Sequence, residues 1–167
     1  MKKKKWGYID AKGDIFIPFN YQYALGFNER LAQVQLKDKW GYLDRSGNGI
    51  ITFKYESAYA FQEGMAVVLL NGKWGFIDKT NQLIIPLKYD AAEEFKEGLA
   101  QVELNDKWGI DKTNHVIIPF KYDYANKFKE GITNVKLNGI TYYIDKSGIV
   151  VWFQEELVSN PVKQIRQ

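Results

Sequence analysis

The chain has 167 residues, 46% of them apolar and 26% charged, with a net charge of +3, a composition that excludes intrinsic disorder and fits one folded domain. It has no cysteine, which excludes disulfides, thiolate metal centres and cysteine nucleophiles, and its one histidine, His115, excludes imidazole clusters. Of 23 basic residues only Arg30, Arg45 and Arg166 are arginine, the usual reader of base edges and phosphates, so no nucleic-acid partner is expected.

Four lysines open the chain at Lys2–Lys5, followed by Trp6 rather than an apolar stretch, so they are not read as a signal peptide. No apolar run reaches the ~18–20 residues of a membrane helix, so no membrane insertion is expected. The default compartment is the cytoplasm, with export as the reading if the chain is a fragment.

From Trp6 onward the chain repeats itself. Trp-Gly recurs at Trp6, Trp40, Trp74 and Trp108, 34 residues apart each time. In the third copy, Lys73–Ile77 reads as a strand rich in aromatic and β-branched residues. Asp78-Lys79-Thr80-Asn81 follows, matched by segments starting at Asp10, Asp44, Asp111 and Asp145. Asp first and Gly or Asn fourth predict a three-residue hairpin loop ending in a left-handed residue. Leu83–Ile85 reads as a second strand, with Pro86 marking its end or a sheet edge; Ile17-Pro18 and Ile118-Pro119 match it, and Thr52 takes the proline place in the second copy. Tyr89, Ala92 and Phe95 then recur at steps of three, as do Tyr21/Ala24/Phe27, Tyr55/Ala58/Phe61 and Tyr122/Ala125/Phe128. That spacing predicts a single helical turn with one apolar face. Leu99–Leu104 alternates as a third strand with one buried and one solvated face, and a tight two-residue turn such as Asn71-Gly72 leads to the next Trp strand.

Each period is therefore expected to be a three-stranded antiparallel meander plus a short helical turn, and stacking of neighbours supplies the core. Four repeats start near residues 6, 40, 74 and 108 and a degenerate fifth starts at 141, so that 1–153 form the array and 154–167 a C-terminal cap or frayed tail. Propeller blades usually need ~40–45 residues; the shorter period favours an open β-solenoid or superhelix, the alternative being a small closed propeller-like ring. The Trp-Gly run of the fourth copy is one residue short (Trp108-Gly109-Ile110-Asp111). A lost strand residue would reverse every later side chain, so a bulge or kink is expected near Gly7, Gly41 and Gly75 that the deletion erases at Gly109.

The KWGYID-type runs, the Ile-Ile-Pro slot and the Tyr-Asp-x-Ala-x-x-Phe-x-Glu-Gly pattern, best seen over 89–102, resemble the WG (KWG) repeat family of bacterial proteins. The resemblance covers roughly residues 5–150. It implies a repeat scaffold and carries no shared catalytic residues; Arg30 for Gly and Thr141-Tyr142 for the fifth Trp-Gly depart from it.

The candidate chemistry is sparse. The indoles of Trp6, Trp40, Trp74 and Trp108 suit a ligand ladder but are read as inter-repeat core, together with Tyr21, Tyr55, Tyr89, Tyr122, Phe27, Phe61, Phe95 and Phe128. The Asp series offers one carboxylate per loop, a turn former rather than a calcium site. Glu93-Glu94 and Glu155-Glu156 are adjacent and do not flank a cleft. Glu29, Glu63, Glu97 and Glu130 are read as solvated turn residues, and His115 as exposed. No catalytic residue, cofactor or metal ligand is assigned, and no enzymatic activity is expected. Val67 and Leu69 replace polar residues on the solvated face of the third strand and are read as a binding patch, open to a partner, to self-association or to cover by 155–167. Tyr23, Tyr59 and Tyr124 are irregular between copies and decorate one ridge. The favoured function is a non-enzymatic scaffold for an unidentified protein or peptide; the alternative is a glycan- or cell-wall-binding module using exposed aromatics. Weak self-association through terminal strand edges is a further expectation.

Overall fold

The computed structural model describes residues 4–154; the tail 155–167, with Glu155-Glu156, lies outside the described residues. The chain is all-β. A two-stranded sheet pairs β1 (Trp6–Ile9) with β2 (Ile15–Tyr21). Four antiparallel four-stranded sheets follow: β3 (Tyr23–Asn28), β4 (Leu31–Leu36), β5 (Lys39–Leu43), β6 (Gly49–Tyr55); β7 (Ser57–Ala58), β8 (Met65–Leu70), β9 (Lys73–Asp78), β10 (Leu83–Tyr89); β11 (Ala91–Ala92), β12 (Ala100–Leu104), β13 (Lys107–Lys112), β14 (His115–Tyr122); and β15 (Tyr124–Ala125), β16 (Ile132–Leu137), β17 (Ile140–Asp145), β18 (Val150–Gln154). The sheets stack as an open array of β-repeats, each packed on its neighbours in sequence.

Two expectations about the repeat unit are corrected. Each four-stranded sheet takes its first two strands from one copy and its last two from the next, so the sequence period straddles two sheets. The Tyr-x-x-Ala-x-x-Phe segment is not a helical turn: among the described residues there is no helix, and Ala24, Ala58, Ala92 and Ala125 lie on the short strands β3, β7, β11 and β15. The reason is hydrogen-bond supply. An open strand edge waits beside the segment, and Asp90 N–H and Glu93 N–H donate to the carbonyls of Glu103 and Gln101 (both 2.9 Å), whereas one isolated helical turn satisfies few of its backbone groups. The step of three still brings Tyr, Ala and Phe to one core, because the chain crosses there from one sheet to the next: Tyr89 and Phe95 are buried in the same layer, with Ala92 packed against it.

Four apolar layers fill the spaces between consecutive sheets. Ile17, Val34 and Leu43 lie in the first; Tyr42, Tyr55, Phe61, Val68 and Ile77 in the second; Val67, Phe76, Tyr89, Phe95 and Val102 in the third; Ile110, Tyr122, Phe128, Val135 and Ile144 in the fourth. Full burial of one such side chain stabilises by about 1.5–3 kcal/mol. Inner strands are covered on both faces, which corrects the reading of a solvated face: Gln33 and Gln101 are buried with the valines.

The bulge is present, and in all four copies. Trp74 pairs Tyr89 and Phe76 pairs Ile85, so four residues of the outer strand span two of the inner one; the same excess lies opposite Gly7, Gly41 and Gly109. The extra residues belong to the edge strands β2, β6, β10 and β14, so Pro18, Pro86 and Pro119 sit within edge strands rather than ending them. The bulged backbone presses on the glycine: a Cβ on Gly7 or Gly41 would lie 2.6 Å from a carbonyl oxygen, and on Gly75 or Gly109 2.7 or 2.8 Å.

The deletion is absorbed elsewhere than expected. The loop after β13 shrinks to a two-residue turn, with Thr113 and Asn114 both at positive φ (50° and 67°). Asp111 pairs Ala100 as Ile77 pairs Ala66 and Leu43 pairs Ala32. It therefore occupies a core slot and is not a member of the turn series. It is fully buried.

Candidate interaction surfaces

The two ends of each sheet differ. At one end lie the tight turns that lead into the Trp strands. At the other lie the Asp loops and the Glu-Gly turns.

At the Trp end each indole is only partly enclosed. Trp40, Trp74 and Trp108 pack against the rims of the second, third and fourth layers, while Trp6 is 50% exposed because β1 has no partner besides β2. Reading them as fully buried core is corrected to rim. The irregular tyrosines meet them: Tyr23 stacks on Trp40 (centroids 6.3 Å, 24°), Tyr59 leans on Trp74 (5.7 Å) and Tyr124 on Trp108 (6.3 Å). These tyrosines are 58%, 43% and 49% exposed, so the ridge is amphipathic and reachable. Beside Trp108 and Tyr124 a cleft of about 640 Å³ is also lined by Asn126, Lys96 and Lys129. The other ring residues are core as expected: Tyr55, Tyr89, Tyr122, Phe61, Phe95 and Phe128 are buried, and Tyr21 and Phe27 of the first copy are half-buried.

The proposed patch at Val67 and Leu69 is not a surface. Val67 is buried in the third layer, opposite Phe76 in the register, and Leu69 is half-buried. The next sheet covers this strand face. An isolated sheet would expose it; a stacked one does not.

The Asp loops behave as turn formers. The Asp78 carboxylate accepts the N–H of Thr80 (2.8 Å) and of Gln82 (2.9 Å), and Asp10, Asp44 and Asp145 accept equivalent pairs. The side-chain donors of Asn48, Thr80 and Ser147 hold Asp44, Asp78 and Asp145 below the usual carboxylate range. Glu93 and Glu94 do converge, on the Lys127 ammonium of the next copy (3.1 and 3.2 Å). His115 is exposed. Among the described residues no group of three carboxylate or imidazole side chains could hold a metal ion.

The Glu-Gly turns carry a feature that the sequence reading missed. Each is a two-residue turn at positive φ, and the carboxylates of Glu29, Glu63 and Glu97 cap the same turn one repeat later. Glu29 accepts Gly64 N–H (3.1 Å); Glu63 accepts Glu97 N–H (2.7 Å) and Gly98 N–H (2.6 Å); Glu97 accepts Gly131 N–H (2.9 Å). Lys79 pairs with Glu29 (2.9 Å) and Lys146 with Glu97 (3.0 Å), and these ammonium groups hold both carboxyls below their ordinary range. The Trp-end turns are capped in the same way: Glu56 accepts from Asn71 and Gly72, Asp90 from Asn105, Asp123 from Asn138, and the Gln22 side-chain oxygen from Asp38. The 34-residue recurrence of Glu was the available signal; that each reaches one period forward was not in it.

Tyrosine hydroxyls stitch the layers. Tyr8 donates to the Leu25 carbonyl (2.7 Å) and Tyr42 to that of Tyr59 (2.6 Å). Burial pushes Tyr8 up to about 12 and Tyr42 higher. Tyr55 donates to Asn81 Oδ1 (2.6 Å) and Tyr89 to the Asp111 carboxylate; burial, with the carboxylate second, raises Tyr89 as well.

The fold and these latches define a tandem β-repeat protein whose copies are joined by side chains reaching from one period to the next. The WG containing repeat family matches residues 6–40, 40–74, 74–108 and 110–139, and the chain belongs to that family. No curated protein matches it. Among solved structures it is similar to KlHsv2 with loop 6CD replaced by a Gly-Ser linker (9% identity, 82% of this chain and 54% of that chain, TM-score 0.52). It is also similar to BamB from Moraxella catarrhalis (10% identity, 80% of this chain and 49% of that chain, TM-score 0.48). The chain spans about half the length of each. At this identity the first likeness concerns the fold alone.

Proposed function

We propose that this chain is a non-enzymatic scaffold that docks a protein or peptide partner along its Trp/Tyr ridge. The observation that carries the reading is the row of half-exposed pairs Tyr23/Trp40, Tyr59/Trp74 and Tyr124/Trp108. Large, stiff, amphipathic rings give contact area at low entropic cost and dominate binding hot spots. The tyrosines sit at positions that vary between copies, where a repeat array can change its binding surface without disturbing its layers.

A second reading, a glycan-binding module, draws on the cleft beside Trp108, where an indole edge, a phenol, an amide and lysines line one concavity. One comparison separates them. The intact chain and its Tyr23→Ala/Tyr59→Ala/Tyr124→Ala variant are each presented with a displayed peptide library and a glycan array. Peptides enriched by the native chain and lost by the variant are the expected result. Ridge-dependent glycan binding without peptide enrichment would overturn the scaffold reading.

A further inference from the structure

In this fold a Glu-Gly turn, with both central residues at positive φ, is a carboxylate receptor. Its consecutive backbone N–H groups point outward together, a small anion-binding concavity. The structure uses it repeatedly: Glu63 holds both amides of the Glu97–Gly98 turn, and Glu29 and Glu97 hold Gly64 and Gly131. The first member of that series, Glu29–Arg30, has the same backbone (φ 47° and 75°). No acceptor among the described residues reaches its amides.

This turn also departs from the others in its side chain. Arg30 stands where the later copies have Gly64, Gly98 and Gly131. A left-handed backbone is disfavoured for an L-residue, and turn geometry does not require one here. A side chain fits at this position: a Cβ on the equivalent Gly64, Gly98 or Gly131 meets nothing within 4 Å. Arg30 shares a cleft of about 430 Å³ with Arg45, Ser46 and Asp44. Of the chain's arginines, two therefore converge on the one uncapped Glu-Gly-type turn. Arg30 has no ion-pair or hydrogen-bond partner among the described residues, and Arg45 rests over the Phe27 ring (5.6 Å). The Asp44 carboxylate is already engaged by Ser46, Asn48 and its own loop.

We propose that the Glu29–Arg30 turn, with Arg45, binds an acidic side chain of a partner polypeptide. The turn amides take the carboxylate as they do in the later copies, and the two guanidinium groups add the forked, charge-assisted contacts that carboxylates favour. The site lies at the opposite end of β4 from Trp40, so it is separate from the aromatic ridge. The assignment rests on the scaffold reading in one respect, that the partner is a polypeptide.

The test is a titration of the full chain, followed by amide ¹⁵N–¹H correlation spectra, with acetylated tetraglutamate amide, its tetraglutamine counterpart and tetragalacturonate. Tetraglutamate is expected to move the Glu29 and Arg30 amides saturably, leaving those of Glu97, Gly98 and Gly131 in place, while tetraglutamine moves none. Arg30→Gly/Arg45→Gln keeps the turn and relieves its backbone, and is expected to weaken binding at least tenfold. No movement at Arg30, an undiminished response in the double variant, or tighter binding of tetragalacturonate than of tetraglutamate would each overturn the proposal. Peptide capture that still depends on the ridge tyrosines would then leave the scaffold reading standing; loss of both would remove it too.

Discussion

The second and third layers are built from the same slots, yet one contains a buried carboxylate and the other does not. Between β3–β6 and β7–β10, Ile77 fills its slot, Tyr55 donates to Asn81 of the Asp78 loop and Lys79 pairs with Glu29. Between β7–β10 and β11–β14, Asp111 fills the Ile77 slot and Tyr89 donates to Asp111. Glu63 has no lysine partner among the described residues, because the residue that would correspond to Lys79 is the one deleted. One missing residue thus accounts for all three differences. The array keeps its strand register by shortening a loop, at the cost of a polar group in an apolar layer: Asp111 Oδ1 has no hydrogen-bond partner among the described residues.

If the layers are otherwise equivalent, truncating the phenylalanine they share should cost the same in each. Phe61→Ala and Phe95→Ala are each expected to destabilise by about 3–5 kcal/mol, measured by urea denaturation. A much smaller cost for Phe95→Ala would mean that the third layer is loosened well beyond its Asp.

A sharper test repairs the deletion. Inserting one isoleucine between Ile110 and Asp111 returns an apolar side chain to the slot, moves Asp111 to the loop and presents Lys112 to Glu63. An added residue rarely stabilises a protein; this one is expected to add about 2 kcal/mol, from the apolar burial gained and the buried polar group removed. Unchanged or lower stability would show that Asp111 is well accommodated where it is.

The hydroxyls give the next comparison. Tyr55→Phe removes a hydrogen bond whose acceptor, in an exposed loop, turns to water, and is expected to cost about 1 kcal/mol. Tyr89→Phe strips Asp111 of its partner inside the layer and is expected to cost about 2–3 kcal/mol. Equal costs would mean that water reaches Asp111.

Much of this was legible in the sequence. Trp-Gly spacing gave the period, Asp with Gly or Asn gave the loops, and the alternation of 99–104 gave the inner strand. The bulge was inferred from the residue missing in the fourth copy, but it lies on the opposite strand and persists beside Gly109. What was not legible depends on contacts one period away. Val67 looked exposed because alternation describes one sheet, and only stacking shows that both faces are covered. The step of three in Tyr89, Ala92 and Phe95 looked helical because a chain crossing between two facing sheets gives the same spacing. Asp111 looked like a loop residue because a deletion beside an Asp can be aligned in two ways. The ridge of Tyr23, Tyr59 and Tyr124 was visible as irregularity; the caps made by Glu29, Glu63 and Glu97, which span a full repeat, were not.

The smallest expected effect concerns Lys79, the residue that the fourth copy lacks. In Lys79→Ala, Glu29 keeps its Gly64 N–H and loses its ammonium partner, so its carboxyl should titrate closer to the ordinary value of 4.5. A carboxyl held low in the folded state stabilises above its unfolded pKa, and that contribution is lost as pH falls through the folded value. Native Glu29 should therefore lose it only in the acid range below 4.5, and the variant should have less to lose. The pair is partly exposed, so the change in stability near neutral pH is expected to stay below about 1 kcal/mol. Side-chain carboxyl NMR titration reads the shift directly. If Glu29 titrates identically with and without Lys79, the amides of the Glu63–Gly64 turn set its acidity and the ammonium group adds nothing.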